Sequence, residues 1–454
     1  MNFTVKNLGP IRDAAIELGY LTVICGKNNC GKTYLAYALD TFLDTIEYNL
    51  RLPLHQNDLE ILFARSGVDV NLADYVDDYI QLVKDTVPDF TKTLPRFLAM
   101  PEDRFTGTSI DVPLSRETVL EGLSHAPVES RLTSESMVRI SNSSTLVFRR
   151  FPTPTTAKIS LLNTASELPS RNTVASIIGT RLAHLFNCSK KNPLFPKSFI
   201  ITCERTGTAL FRSELMGVKV RKEESNSQSV GRGRWHGYQY PVEKDIDFVL
   251  DLKRFLNRRS FIAEEHPEIL EFFSTISGGT YALDESLDRL VFKPQNADCL
   301  LALSESSSTV RALTELHFYL KHMAKPGQML MMDEPELNLH PENQRKLARL
   351  FAMLVKVGLR VFITTHSDYI VREINILLRM NALERGQASL LARRHGYLDG
   401  EELSPAMVKF FVLHDGCTEE VRFNPDSHAF GVSSFDDTIE KFNLLYIDLM
   451  DSGI

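Results

Sequence analysis

The stretch Gly26-Lys27-Asn28-Asn29-Cys30-Gly31-Lys32-Thr33 constrains this 454-residue chain more than any other. It matches the pattern G-x-x-x-x-G-K-[ST] without deviation. Before it runs Leu21-Thr22-Val23-Ile24-Cys25, which reads as a buried strand. From Lys32 the period changes, and Leu35, Leu39, Phe42, Leu43 and Ile46 recur at helical spacing. A strand, a glycine-rich loop and a helix in that order turn backbone N–H groups onto an anion at a helix N-terminus. Gly26, Asn28, Asn29 and Gly31 form the expected cradle. Lys32 is expected to reach the outer phosphates, and Thr33 to offer its hydroxyl to Mg2+. Cys25 then reads as a strand residue and Cys30 as a small loop residue, with no metal role for the pair.

A second constellation lies far downstream. Met329-Leu330-Met331-Met332 is an apolar strand that ends in Asp333 and Glu334. Sheets of this kind place ligand chemistry at the C-terminal ends of their strands. Asp333 is expected to hold Mg2+, directly or through water, and Glu334 to orient an attacking water. Pro335-Glu336-Leu337-Asn338-Leu339-His340-Pro341 follows, then a helix to about Val357. Another apolar run, Val361 to Thr365, ends in His366 and Ser367. His366 is expected to sense the γ-phosphate.

Upstream of the acidic strand, Leu303-Ser304-Glu305-Ser306-Ser307-Ser308-Thr309 leads into a helix through Leu313, Leu316 and Leu320. Serines before a helix cap it. The same hydroxyls and free N–H groups suit an anion. Ser304, Ser306, Ser307 and Ser308 are therefore expected to meet the γ-phosphate of ATP held by another copy. Ser277-Gly278-Gly279 lies too far upstream of the acids to share that role and reads as a turn.

Composition excludes little. The formal charge is -7, with 43% hydrophobic and 24% charged residues, ordinary for a chain with a sizeable core. The six cysteines form no CxxC pair, which fits reduced thiols. No leader-like run and no membrane-length apolar run is present, so the expectation is a soluble, cytoplasmic protein. Nucleic-acid binding would need a local basic patch. Lys190, Lys191, Lys197, Arg232, Arg234, Arg258 and Arg259 are its candidates, with Trp235 as a stacking residue.

Four segments organise the chain. Residues 1–50 carry two short strands, Phe3 to Val5 and Ile11 to Ile16, and the phosphate loop. Residues 51–195 read as a mostly helical insertion. Residues 196–380 hold the serine cap, the acidic strand and His366. Within them Asp245 to Asn257 reads as a helix, and Ser225 to Gly237 as a Gly/Ser/Arg-rich loop. Residues 381–454 form an α/β extension, with strands at Val408 to His414 and Glu420 to Phe423 and a last helix near Asp436 to Met450.

Taken together these blocks resemble ABC-type ATPases of the SMC, RecF and OLD group, and among them the stand-alone ATPases of bacterial anti-phage systems, Septu-type and retron-associated. The resemblance rests on KNLGPIRDAAIELGYLTVICGKNNCGKT, on LSESSSTVRALTEL through DEPELNLHPENQRKLARL to FITTHSDYIVREIN, and more weakly on Ile201-Thr202-Cys203-Glu204-Arg205-Thr206-Gly207. It covers about a third of the chain. The usual signature glycines are serines here, no Toprim-like nuclease setting surrounds Asp399, Glu401 and Glu402, and no glutamine loop is evident. The resemblance implies an α/β fold: an ABC-type P-loop NTPase head, with a mixed core sheet and an N-terminal antiparallel β subdomain, and a large insertion. It further implies ATP and Mg2+ as cofactors, with Lys32 and Thr33 on phosphate and metal, Asp333 on the metal, Glu334 as base and His366 at the γ-phosphate. Two copies would form an ATP-sandwich homodimer or a higher oligomer. The implied role is a sensor or regulator in anti-phage defence controlling a separately encoded effector such as a nuclease. The alternative is a RecF/SMC-like DNA-binding ATPase of DNA repair or maintenance; a membrane partner is not expected.

Overall fold

The computed structural model describes residues 1–124, 136–141, 143–150, 155–163, 168–187, 189, 192–225, 237–284, 289–398, 400–431 and 444. The elements run β1 (Asn2–Leu8), β2 (Ile11–Glu17), β3 (Leu21–Cys25), α1 (Lys32–Asn49), α2 (Gln56–Arg65), β4 (Gly67–Asn71), α3 (Val76–Phe97), β5 (Ser109–Asp111) and α4 (Arg116–Ser124). Then come β6 (Ser136–Arg139), β7 (Ser144–Arg150), β8 (Thr156–Asn163), α5 (Arg171–Phe186), β9 (Ser198–Ile201), α6 (Arg205–Leu210), α7 (Arg212–Ser225), α8 (Tyr240–Leu250), α9 (Phe261–Glu265) and α10 (Pro267–Ser277). Next are β10 (Gly279–Asp284), β11 (Arg289–Pro294), β12 (Leu301–Ala302), α11 (Ser308–His322), β13 (Met329–Asp333), α12 (Pro341–Lys356), β14 (Arg360–Thr365), α13 (Asp368–Asn381) and α14 (Arg385–His395). The last are β15 (Val408–His414), β16 (Cys417–Glu420), β17 (Phe423–Asn424) and β18 (Ala429–Phe430).

One mixed nine-stranded sheet organises the molecule, in the order β5-β1-β2-β16-β15-β3-β14-β13-β9. Its centre is parallel: β13 pairs with β9 and β14, and β3 with β14 and β15. Every residue of β3, β13 and β14 is buried, as parallel strands covered on both faces require. Successive side chains point to opposite faces, so each strand feeds two cores. Ile24, Met331 and Phe362 join one cluster with Leu35, Leu39 and Phe42 of α1. Val23, Met332 and Ile363 join the other with Leu313 of α11, Leu350 of α12 and Ile374 of α13.

The antiparallel strands β1, β2 and β5 continue this same sheet rather than standing apart. Residues 51–195 contain the expected helices and, beside them, a four-stranded antiparallel sheet ordered β4-β8-β7-β6. Three of its strands, β6, β7 and β8, fall in Ser/Thr-containing stretches, whereas β4 is the alternating run Gly67–Asn71. There Leu146 and Phe148 of β7 face inward, as do Ile159 and Leu161 of β8, and β-branched threonines suit the half-buried pleat.

Gly278, at φ 75, caps α10 in the left-handed region before β10, so Ser277-Gly278-Gly279 is a turn. Near the C-terminus the expected strand at Glu420 to Phe423 is corrected. β16 ends at Glu420, and a hairpin turn through Asp415 and Gly416, both with positive φ, joins it to β15. That Asp-Gly pair is a hairpin signal. The expected helix near Asp436 to Met450 lies outside the described residues, Leu444 excepted, as do residues 226–236. Among the described residues no helix is long and apolar enough to cross a membrane.

Candidate nucleotide site

The loop between β3 and α1 needs its two glycines for different reasons. A Cβ on Gly26 would sit 2.4 Å from the Leu413 carbonyl oxygen. Gly31 caps α1 at φ 107, and a Cβ there would meet Ile11 at 2.7 Å. Lys27, Asn28 and Asn29 are exposed between them. The first turn of α1 carries no acid, so its positive end stays open to an anion. Lys32 is 4% exposed, and its ammonium donates to the carbonyls of Gly26 and Lys27, both at 2.9 Å.

The sheet order then brings the acids to this loop. β14 separates β3 from β13, and the C-terminal ends of all three lie together. The Thr33 hydroxyl donates to Asp333 Oδ2 at 2.8 Å. Thr364 Oγ1 donates to Asp333 Oδ1. Burial raises the Asp333 carboxyl above its ordinary value, the two threonine hydroxyls oppose that, and the nearby Glu334 and Glu204 carboxylates add to it. Glu334 sits at φ 48, a conformation non-glycine residues rarely adopt. Its N–H donates to the Thr364 carbonyl at 3.1 Å. Among the described residues no group of three His, Cys, Asp or Glu side chains could hold a metal on its own. One hydroxyl and one carboxylate instead suit a Mg2+ that brings phosphate oxygens and water with it.

His366 stands at the end of β14. Its Nδ1 lies 3.3 Å from Glu336 Oε1 and 3.7 Å from Glu334 Oε1. The same Glu336 oxygen accepts from the His366 N–H at 2.7 Å and from Thr365 Oγ1 at 2.8 Å. The acid pair and the histidine therefore form one cluster with the loop. The serine cap does not join it within one chain. Ser307 caps α11 through Val310 N–H at 3.3 Å, and Ser306 is buried and donates to the Ala302 carbonyl at 2.9 Å. Ser304 is exposed, and Ser308 half-buried in the first turn. The cap sits beside the loop after Glu334, where Thr309 Oγ1 donates to the Asn338 carbonyl at 2.7 Å.

Sequence reasoning passed over three supporting groups. Arg205, 1% exposed, donates from Nη1 to the carbonyls of Thr202 at 3.0 Å and Asp333 at 2.9 Å, and from Nη2 to that of Glu334 at 2.7 Å. It clamps the left-handed turn of the acid pair. Glu336 holds His366 as described. Glu204 accepts from the Tyr37 hydroxyl of α1 at 3.0 Å, next to Asp333. Beneath them Asp245 accepts from the N–H of Thr202 at 2.8 Å, and Thr208 donates to Glu315 of α11 at 2.5 Å. Arg205 and Glu204 lay in a block already singled out, but nothing there says that β9 would be the neighbour of β13.

Of the basic candidates, Lys197, Arg258 and Arg259 lie among the described residues, and Lys197 is exposed. Arg258 lies over the Phe255 ring, and Arg259 donates to the Ala263 carbonyl at 3.0 Å. Lys190, Lys191, Arg232, Arg234 and Trp235 lie outside the described residues. Glu401 pairs with Arg349 at 2.9 Å and Glu402 with Lys356 at 3.3 Å; Asp399 lies outside the described residues.

A strand-loop-helix phosphate cradle facing an acid-bearing parallel strand defines an α/β nucleotide-binding protein of the P-loop class. The family model of the AAA ATPase domain matches residues 1–110 and 247–371, just over half of the chain, and the chain belongs to that family. No curated protein sequence matches it. Among solved structures, an Smc head bound to the C-terminal winged-helix domain of ScpA is similar at 12% identity and a TM-score of 0.35, covering 94% of this chain and 98% of that one. An Smc head with an extended coiled coil, bound to the C-terminal domain of ScpA derived from Pyrococcus furiosus, gives 12% and 0.34, covering 97% and 98%. The SMC head domain from Thermotoga maritima gives 10% and 0.33, covering 93% and 98%.

Proposed function

We propose that the protein binds ATP with Mg2+ and hydrolyses it, as an ABC-type ATPase whose site is completed by a second copy. The 2.8 Å contact between Thr33 and Asp333 carries this reading. A hydroxyl at a helix N-terminus and a buried carboxylate converge there, beside an open phosphate cradle and a lysine that has only carbonyl partners. Thr33 and Asp333 would hold the metal, which neutralises phosphate charge when bound. Lys32 would leave the Gly26 and Lys27 carbonyls for the β- and γ-phosphates. Glu334 would take the proton of the attacking water while ADP departs with the bonding pair. His366, turned by Glu336, would contact the γ-phosphate. Exposed Ser304, Ser307 and the α11 N-terminus suit an anion presented from outside the chain, which supports the two-copy sandwich.

The regulatory part follows from the resemblance of the three sequence blocks. In this reading the ATPase restrains or releases a separately encoded effector, such as a nuclease, in defence against phage. The test is the solution mass of Glu334→Gln with and without Mg-ATP, alone and co-expressed with the neighbouring gene. A nucleotide-dependent doubling supports the sandwich, and a stable complex with the neighbour supports the regulator. A monomer indifferent to both would overturn them.

A further inference from the structure

Strand β15 lies on one flank of β3, and β14 and then β13 lie on the other. Glu334 and His366 follow the ends of β13 and β14, so a triphosphate seated in the loop after β3 points its γ end toward them. Its nucleoside end then leaves over the opposite flank, where β15 ends. A groove of about 430 Å³ lies there, between residues 26–30 of the loop, residues 412–416 and Pro10. That volume falls within the range of small-molecule sites, about 300–1,000 Å³. The groove sits outside the C-terminal ends of two parallel strands, β3 and β15, where sheets of this kind hold ligands. Lys32 and Thr33 do not line it, so it extends the phosphate cradle rather than repeating it.

The wall facing the loop is fixed before any ligand arrives. Arg12 Nε donates to the Asp415 carbonyl at 2.7 Å. The Gly416 carbonyl accepts from the N–H groups of Arg12 at 2.7 Å and Asp13 at 3.0 Å. The Thr418 hydroxyl donates to the Ala15 carbonyl at 2.9 Å and accepts from the Ala15 N–H at 2.7 Å. The β15–β16 hairpin is thus fastened along β2, and a wall already in place lowers the cost of binding. Its tip presents His414 and Asp415, both exposed, with His414 Nδ1 3.6 Å from Asp415 Oδ2. Pro10 and Val412 add apolar surface. That mixture suits a nucleoside. A flat ring packs on apolar and imidazole surface, and amino or hydroxyl donors meet a carboxylate that only accepts.

We infer, on the reading that ATP is the ligand of the loop, that the β15–β16 hairpin forms the nucleoside half of the site, with His414 and Asp415 as its binding residues. Calorimetric titration of the full chain with Mg2+ and either ATP or inorganic tripolyphosphate tests this, because only ATP carries a nucleoside. His414→Ala/Asp415→Asn should weaken ATP binding at least about tenfold and tripolyphosphate binding less than about twofold. Asparagine tolerates the positive φ of Asp415, so the turn persists. Amide exchange of the wild type needs no variant: ATP should slow residues 414–416, and tripolyphosphate should not. Equal ATP affinity in the two proteins, or an equal loss for both ligands, overturns the inference while leaving ATP at the loop. A wild type that binds neither ligand overturns the reading of the loop, and the role of the hairpin with it.

Discussion

Thr33 and Asp333 stand 300 positions apart, and the Thr33 hydroxyl donates to Asp333 Oδ2 at 2.8 Å. This contact joins the start of α1 to the end of β13, and under the proposed function it is where a divalent cation would be held.

Asp333→Asn separates stability from ligand binding. Burial penalises the charged carboxylate. An amide keeps hydroxyl partners in Thr33 and Thr364, because hydroxyls both donate and accept. The ligand-free protein should melt at the same temperature or a few degrees higher. Saturating Mg-ATP at a hundred times its dissociation constant should add about 2.7 kcal/mol to the wild type and close to nothing to the variant. Differential scanning calorimetry with and without Mg-ATP decides it; equal ligand-induced shifts would remove Asp333 from the site.

Arg205 clamps three carbonyls, and its loss should act on turnover rather than on affinity. Arg205→Met removes all three bonds; the Thr202 and Glu334 carbonyls keep the N–H groups of Arg205 and Leu337, while the Asp333 carbonyl loses its Arg205 donor, at about 1–3 kcal/mol for an orphaned group. The left-handed turn at Glu334 then relaxes. The expected result is a fall in kcat of about tenfold or more, equivalent to about 1.4 kcal/mol, with KM nearly unchanged. Arg205→Lys, which keeps a donor, should recover part of it. Steady-state kinetics of both variants provide the check.

Glu336→Gln tests how His366 is held. The carboxylate oxygen gathers the His366 N–H, the Thr365 hydroxyl and Nδ1. A neutral amide keeps the acceptor and loses the charge, and hydrogen bonds to charged groups contribute about 1.5–3 kcal/mol. Turnover should fall about tenfold while nucleotide binding, measured calorimetrically, stays within about twofold. Unchanged turnover would mean that the histidine does not act in the reaction.

Asp245 supplies a pH signature. It is fully buried, and burial followed by the Asp40 and Glu204 charges pushes its carboxyl up to about 7, against the hydrogen bonds from Thr202. Burial also raises Glu315, and Asp245 adds to it. A carboxyl whose folded value is raised stabilises the fold fully below its ordinary value near 3.8 and loses that contribution as pH climbs through about 7. Stability should therefore decline between about pH 4 and pH 7 and level off above. Asp245→Asn should flatten that slope in urea melts taken at a series of pH values. An identical slope would show that the pair does not titrate in this range.

Much of this architecture was legible in the chain. The Gly26 to Thr33 loop, the apolar runs ending at Asp333 and Thr365, and the helix started by Pro341 are local patterns whose physics needs no neighbours. Strand alternation in β1 and the helical stripe of α1 are of the same kind. Strands β6, β7 and β8 of the sheet in the insertion were hidden because Thr and Ser populate strands and loops alike, and only burial of the residues between them separates the two; β4 is five residues long, with only Val68 and Val70 to mark its alternation. The β15–β16 turn was present as Asp415-Gly416, a signal as local as the others.

What no local pattern carries is which strands become neighbours. The order β3-β14-β13-β9 is set by burying two faces at once, and it alone places Asp333 against Thr33, Glu336 under His366 and Arg205 beneath the acid pair. Strand identity comes from a few adjacent residues, whereas strand order is a property of the whole packed sheet. The sequence by itself therefore determined the chemical parts of the site, and the tertiary structure decided which of them touch.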